Sequence, residues 1–256
     1  STPVIVEVQP ILGTETGLIA YWPFDETSGT TFNDATGHGH HGALQNGTIV
    51  PGITGMVAGA YDFDGVDDFA IVPHSDEFSV TDQLTISAWI NPRTLSVMGG
   101  LSRIVRKDIN WDLSINNGAA LLFYGLNKAS YASPAVITSN EWQHVAVVVK
   151  NNTIEFFRNG ASLAAPVTAY LGPPNSVPVI IGNFQSDLDI NRIMNGPMDD
   201  LGVWHRALRA QEIEGIYVNG LAGKPLTAKY KPLTIESLEP VGDDSWRLTV
   251  YTPYVQ

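Results

Sequence analysis

The chain has no cysteine, so disulfides, thiolate chemistry and cysteine-based zinc sites are excluded at once. It also has no lysine or arginine before Arg93. Residues 1–92 carry 12 acids and no base, whereas residues 93–256 carry 14 of each. The whole formal charge of −12 therefore sits in the N-terminal third. Nucleic-acid backbones call for clustered cations, which this chain lacks. Charged residues are scarce, at 16% against the roughly 25% of ordinary soluble domains. No apolar run approaches the roughly 18 residues of a membrane span. No basic amphipathic helix suggests attachment to a lipid surface. The opening Ser1-Thr2-Pro3 is no signal peptide, and the compartment stays open on these grounds.

What is present is strand. Hydrophobic residues make up 44% of 256, enough for a large core without staples. The runs 84–91 (LTISAWIN), 142–149 (WQHVAVVV) and 178–182 (PVIIG) are short, β-branched and bounded by Pro, Gly or Asn. In 18–24, alternation puts Leu18, Ala20, Trp22 and Phe24 on one face. Val145–Val149 is apolar on both faces, as befits a strand inside a two-layer sandwich. Asp64-Gly65, Asn117-Gly118 and Asn159-Gly160 read as hairpin turns, since these pairs supply positive φ. An all-β antiparallel sandwich or jelly roll follows. One short helix is expected over 208–217, with Asn219-Gly220 as its end. It follows a last strand, Met198–Trp204. The expected organisation is an N-terminal strand and linker over 1–16, a domain over 17–222, and a linker with a β-hairpin over 223–256. That hairpin either docks on the sandwich or opens a further domain.

Four blocks carry a family resemblance: GLIAYWPFDETSGTTFNDATGHGHHGAL, GAYDFDGVDDFAIVP with LTISAWINP, EWQHVAVVVKNNTIEFFRNG, and MDDLGVWHRALRAQEIEGIYVNG. In this order, over about 17–222, they resemble laminin-G-like, concanavalin A-like jelly-roll domains, and within these the bacterial domains related to pentraxins. The resemblance implies a two-sheet jelly roll, secretion or surface display, frequent Ca²⁺ binding, and recognition of a polysaccharide or glycoprotein glycan. Nucleic acid and membrane insertion are not expected, and neighbouring domains in a longer chain are compatible with it.

Calcium takes six to eight oxygen ligands. Asp25, Glu26, Asp34, Asp199 and Asp200 are the candidates, because the first and last strands of a jelly roll lie close together. The family motif puts acids at Asp25, Asp34 and Asp199; the plainer reading makes Asp25 and Asp34 turn residues. A second cluster, Asp62, Asp64, Asp67, Asp68, Asp76, Glu77 and Asp82, has no base within it. The pentraxin-like resemblance places a ligand-binding Ca²⁺ there, with Asn183, Gln185, Asp187, Asp189 and Asn195 opposite. Phe184 stands where that subgroup has a carboxylate, so solvated turn acids are the preferred reading. His38, His40 and His41 read first as a polar loop and only second as a metal cluster.

Catalysis finds little support. No Glu-x-Asp-x-Glu alternation supplies the paired carboxylates of a glycosidase. Arg103, Arg106, His144 and Tyr124 are the residue types of a polysaccharide lyase, but no lyase motif contains them. Sugar recognition uses aromatic faces and directed hydrogen bonds. Trp22, Trp89, Trp142 and Trp204 are expected in the core. Trp111, Tyr124, Tyr131 and Arg106, with Asn183 and Asp187, form the expected ligand face, and Asn110 and Asn127 lie near it. The leading expectation is a non-catalytic, Ca²⁺-dependent carbohydrate-binding module. A protein–protein adhesion module and a polysaccharide-active lyase or hydrolase are the alternatives.

Overall fold

A computed structural model describes residues 13–45, 49–95, 100–183 and 192–229, together with the backbone of two strands near the C-terminus. The expected β-like run Val4–Val8 and the candidates Gln185, Asp187 and Asp189 lie outside the described residues.

The architecture is the expected two-sheet antiparallel sandwich, with one α-helix among the described residues. The first sheet runs in the order Ala161–Ser162, Thr153–Arg158, Gln143–Lys150, Leu84–Ile90, Asn195–Trp204, Gly59–Asp64, Val50–Thr54. The second runs Ser130–Ala135, Ala120–Tyr124, Trp111–Asn116, Leu101–Lys107, Val179–Ile181, Phe69–Val72, Gly42–Gln45, Thr31–Phe32. Between them lies one large core, which includes Trp22, Phe32, Tyr61, Phe63, Ile86, Ile104, Trp111, Phe123 and Val147.

Chain Leu18–Trp22 pairs with the last domain strand, Leu18 opposite Trp204 and Trp22 opposite Leu201, so the domain's ends are fastened side by side. All five of its residues are buried. The simple alternation fails here, because the register shifts between Leu18 and Ala20. Ile19, Ala20 and Trp22 enter the main core, while Leu18 joins Tyr21 in a second cluster on the outer side of the first sheet. That second cluster also explains Val145–Val149. Val145, Val147 and Val149 face the sandwich core, and Ala146 and Val148 face Ile213, Ile216 and Leu226. The outer face of this sheet is apolar because the helix covers it.

The helix spans Ala210–Leu221. Glu212 starts it, accepting from the Arg209 backbone N–H at 2.8 Å and from the Arg206 guanidinium. Asn219 and Gly220 lie inside it, and the stop comes later, at Ala222 with Gly223 in the left-handed region. Gly220 serves packing: a Cβ there would overlap the Trp89 indole, which stacks on Tyr217 at 5.6 Å. Gly220→Ala should gain about 1 kcal/mol of helix propensity but lose about 1–3 kcal/mol to overpacking. Net destabilisation, read as a lower urea midpoint, is expected; a higher midpoint would contradict this packing.

The three expected turns have three outcomes. Asn159-Gly160 is a hairpin turn, with φ of 50° and 78° between paired strands. Asn117-Gly118 also joins paired strands, but Ala119 takes the positive φ, 64°. Asn116 Oδ1 accepts there from Gly118 and Ala120 and sets the loop. Asp64-Gly65 makes no hairpin. Gly59–Asp64 belongs to the first sheet and Phe69–Val72 to the second, so this turn crosses the sandwich. Asp64 Oδ1 accepts from Val66 and Asp68 Oδ2 from Asp64, so side chains shape the crossing. At the C-terminus, Thr234–Gly242 and Ser245–Tyr251 pair with each other as a separate two-stranded sheet.

Candidate functional site

Strand Leu101–Lys107 shows how local structure builds a site. Arg103 and Arg106 are three apart, so a regular strand would point them to opposite faces. The register shifts between Arg103 and Val105, and Ile104 and Val105 both enter the core. This bulge turns both arginines to the outer face of the second sheet. Arg106 then lies opposite Asp112, and Asp112 opposite Tyr124, in a row across three strands. Arg103 pairs with Asp112 at 2.5 Å, and Arg106 with Asp108. Burial pulls the Arg106 guanidinium's affinity for its proton down, and Asp112 works against that fall. Burial and the Asp112 carboxylate raise the Tyr124 phenol, which stays protonated and able to donate.

These residues line a cleft of about 180 Å³, closed by Ile109, Gly125, exposed Lys128 and Arg192. Its charged lining holds four cations and two carboxylates, a net positive patch on an acidic protein. Asp108 (φ 32°), Asn127 (φ 56°) and Lys128 (φ 59°) are left-handed at its rim. Non-glycine residues in that conformation concentrate where loops are held for ligands.

Several expected ligand residues are elsewhere. Trp111 is fully buried in the core and donates to Phe78 O at 2.9 Å. It shares its face with Leu113 and Ile115, while Asp112 and Ser114 alternate outward, so alternation within WDLSI already carried the signal. Tyr131 packs against the core, Asn183 is fully buried, and Asn110 is buried, donating to Val80 O and Gly172 O. Tyr124 and Arg106 both line the cleft, and Arg103, Asp112, Lys128 and Arg192 join them. His144 lies in the first sheet, fully buried against Ser87 Oγ at 2.7 Å. Burial pulls it down to about 3. It therefore never meets Arg103, Arg106 and Tyr124, and the lyase-like quartet is not assembled. Trp22, Trp89 and Trp204 are core as expected; Trp142 is only half-buried.

The acids divide in a similar way. Asp34 is buried, and its carboxylate accepts from the N–H groups of Tyr21, Thr36 and His40 and from the Thr36 hydroxyl. Burial alone would raise its pKa, but these hydrogen bonds lower it below the usual range. Glu26 accepts from Asn33 at 2.7 Å and from the Tyr61 hydroxyl at 3.0 Å. Asp25, Asp199 and Asp200 lie near enough to act on one another electrostatically. Strand Asn195–Trp204 pairs with Gly59–Asp64 as far as Met198 and with Leu18–Trp22 from Leu201. Asp199 and Asp200 occupy the bulge where one partner gives way to the other, with Asp200 at φ 50°. Asp199 Oδ2 accepts from Met56 and Val57 at 2.8 and 2.9 Å; Oδ1 is buried with no hydrogen-bond partner among the described residues. Asp200 accepts from the Tyr21 hydroxyl, and Asp25 from Gly59 at 2.7 Å. Burial and mutual repulsion push Asp199 up to about 8. Burial first, then Asp25, pushes Asp200 up to about 7.

Of the second acidic cluster, Asp62 pairs with Arg93, and Asp64, Asp67 and Asp68 gather at the crossing turn. His41 Nδ1 accepts from the Asp34 N–H, whereas His38 and His40 converge on Glu77.

The two-sheet jelly roll, with a polar cleft on the outer face of one sheet, defines a concanavalin A-like class of fold. Residues 64–214 match the profile of the concanavalin A-like lectin/glucanases superfamily, laminin-G type, and the chain belongs to that superfamily. No curated protein sequence matches significantly. Among solved structures, the binding domain of paraclostridial mosquitocidal protein 1 is similar, with a TM-score of 0.63 and 19% identity over 79% of this chain and 52% of that one. Domain 4 of the extracellular arabinanase AbnA from Geobacillus stearothermophilus, solved with arabinotriose, gives 0.61 and 20% identity over 77% of this chain and 96% of that one. Trypanosoma rangeli sialidase, solved with sialic acid, gives 0.63 and 15% identity over 87% of this chain and 36% of that one. At these identities the likeness is one of fold, and the chain spans about half of the first of these structures and about a third of the sialidase.

Proposed function

We propose that this chain is a non-catalytic, calcium-dependent carbohydrate-binding module of a secreted or cell-surface protein. The cleft on the outer face of the second sheet carries the reading. Arg103 and Arg106, buried and paired with Asp112 and Asp108, hold its floor, while the half-buried Tyr124 offers a hydroxyl and exposed Lys128 a cation at the rim. A cation beside a hydroxyl suits sugar carboxylates and hydroxyls alike. At about 180 Å³ the cleft is smaller than the roughly 300–1,000 Å³ of whole-ligand pockets, so it suits one unit of a longer glycan. Structural neighbours solved with arabinotriose and sialic acid support the same assignment.

In this reading the calcium belongs with Asp25, Asp199 and Asp200, whose charges act on one another. A buried carboxylate oxygen without a hydrogen-bond partner among the described residues, in a group whose charged neighbours are also acids, supports a cation there. Asp34 and Glu26 hold their loops instead. An ion at the bulge would fasten the domain's ends and stiffen the fold, with the cleft on the opposite sheet.

A glycan array with and without EDTA tests this function. Binding of a defined glycan set in calcium is expected. Lys128→Ala and Tyr124→Phe should each weaken it about 5- to 50-fold, the loss of one or two hydrogen bonds, with the melting temperature unchanged. An empty array in calcium would overturn the lectin reading, and full retention by both variants would overturn the cleft.

A further inference from the structure

We propose that His38, His40 and Glu77 form a binding site for a divalent transition ion of the zinc class, separate from the sugar cleft and from the acids at the bulge. The three side chains present one nitrogen or oxygen each within 4.8 Å of one another. His40 Nε2 stands 2.6 Å and His38 Nδ1 3.8 Å from the same Glu77 oxygen.

The loop is built to hold this arrangement. Gly37 and Gly39 have φ of 87° and 83°, and a Cβ on either would touch nothing within 4 Å. Glycine there answers a need of the backbone and not of space. Each glycine precedes a histidine, and the repeat turns both imidazoles toward Glu77. The His38 N–H donates to Thr36 Oγ1 and the His40 N–H to Asp34 Oδ2. The Trp22 indole donates to the His40 carbonyl at 2.7 Å. The His40 ring rests on Phe78 at 4.6 Å, and Phe78 stacks on Trp22. Glu77 comes from the short helix Asp76–Phe78, whose start Ser75 caps. Two segments are thus fixed to one aromatic floor with their ligand atoms facing each other.

The donor set selects the ion. Two imidazoles and one carboxylate are a ligand set of tetrahedral zinc, with a fourth position for water. Calcium wants oxygen ligands only. Taking the ion at Nδ1 releases His38 from its 2.9 Å contact with Ile19 O, one hydrogen bond against one metal–nitrogen bond. His38 and Glu77 are about half exposed, so the ion and the fourth ligand have open access. Asp34 tightens the loop through the His40 N–H, so zinc binding reinforces a connection that the fold already makes.

The test is titration calorimetry of tag-free protein with zinc chloride, in excess calcium chloride so that oxygen sites are occupied. One zinc per chain is expected, undisturbed by calcium. His38→Ala and Glu77→Gln, both at exposed side chains, should each lower zinc affinity at least 10-fold, with unchanged far-UV circular dichroism. Binding of cobalt should give visible bands of tetrahedral nitrogen–oxygen coordination, lost in His40→Ala. Absence of zinc binding by the wild-type chain, or equal affinity in His38→Ala and Glu77→Gln, would overturn the site. Because the sugar cleft lies elsewhere, neither result depends on glycan binding.

Discussion

Trp111→Ala is expected to lose about 3–5 kcal/mol of stability, the cost of emptying a fully buried tryptophan site. The indole lies in the core that its own sheet, with Leu113, Ile115 and Phe123, shares with the facing one. Its N–H is the partner of the Phe78 carbonyl, and Phe78 in turn supports Trp22 and the His40 ring. Removing it opens a cavity, leaves a carbonyl without its donor and loosens the aromatic floor in one step. For a domain of this size each kcal/mol moves the melting temperature by about 2–4 °C, so a fall of roughly 6–20 °C follows. Urea unfolding should show a lower midpoint at an unchanged slope. The variant that remains folded should still bind glycan. A Trp111→Ala protein of normal stability that has lost its ligand would contradict the placement of this residue.

Asp199→Asn should reverse its effect with calcium. Asp199 and Asp200 have folded pKa values of about 8 and about 7, above their ordinary value of 3.8. Between pH 4 and pH 8 the folded chain therefore holds more protons than the unfolded one, and stability falls as pH rises across that window. Below it both states are protonated and the penalty disappears. Asp34 works in the other sense: its lowered pKa stabilises above 3.8 and is lost as pH falls through its folded value. In EGTA at pH 8, Asp199→Asn removes the buried charge while its amide oxygen still accepts from Met56 and Val57. The variant should then be more stable than wild type. With calcium at about 100 times its dissociation constant, wild type should gain about 2.7 kcal/mol and the variant little. Thermal melts at pH 5 and pH 8, with calcium and with EGTA, measure all four cases. An equal calcium gain in both proteins would remove the ion from this bulge.

The fold was largely legible because its signals are local. LTISAWI and QHVAVVV became strands where their β-branched runs stand, and the helix formed where its apolar stripe lies. Misreadings arose where one residue had to answer to a distant one. Gly220 reads as a helix stop, yet Trp89 makes it a packing residue. Asp64-Gly65 reads as a hairpin, yet its two strands found partners in different sheets. The Arg103–Val105 bulge has no signature in its own sequence; it exists because Ile104 and Val105 both gain by entering the core.

By itself, then, the sequence determined an acidic, cysteine-free, all-β jelly roll of the laminin-G type, and it named Arg106, Tyr124, Asp25, Asp199 and Asp200 among its candidate site residues. Only the tertiary structure decided which of them meet. It sent Trp111 inward and joined Arg106 and Tyr124 to Arg103 and Asp112. It set Asp34 to holding its own loop, and it brought Glu77 to His38 and His40 across 37 residues of chain. The reason is physical: strand character is written in nearest neighbours, whereas a site depends on register, bulges and sheet crossings, which the packing of the whole core selects.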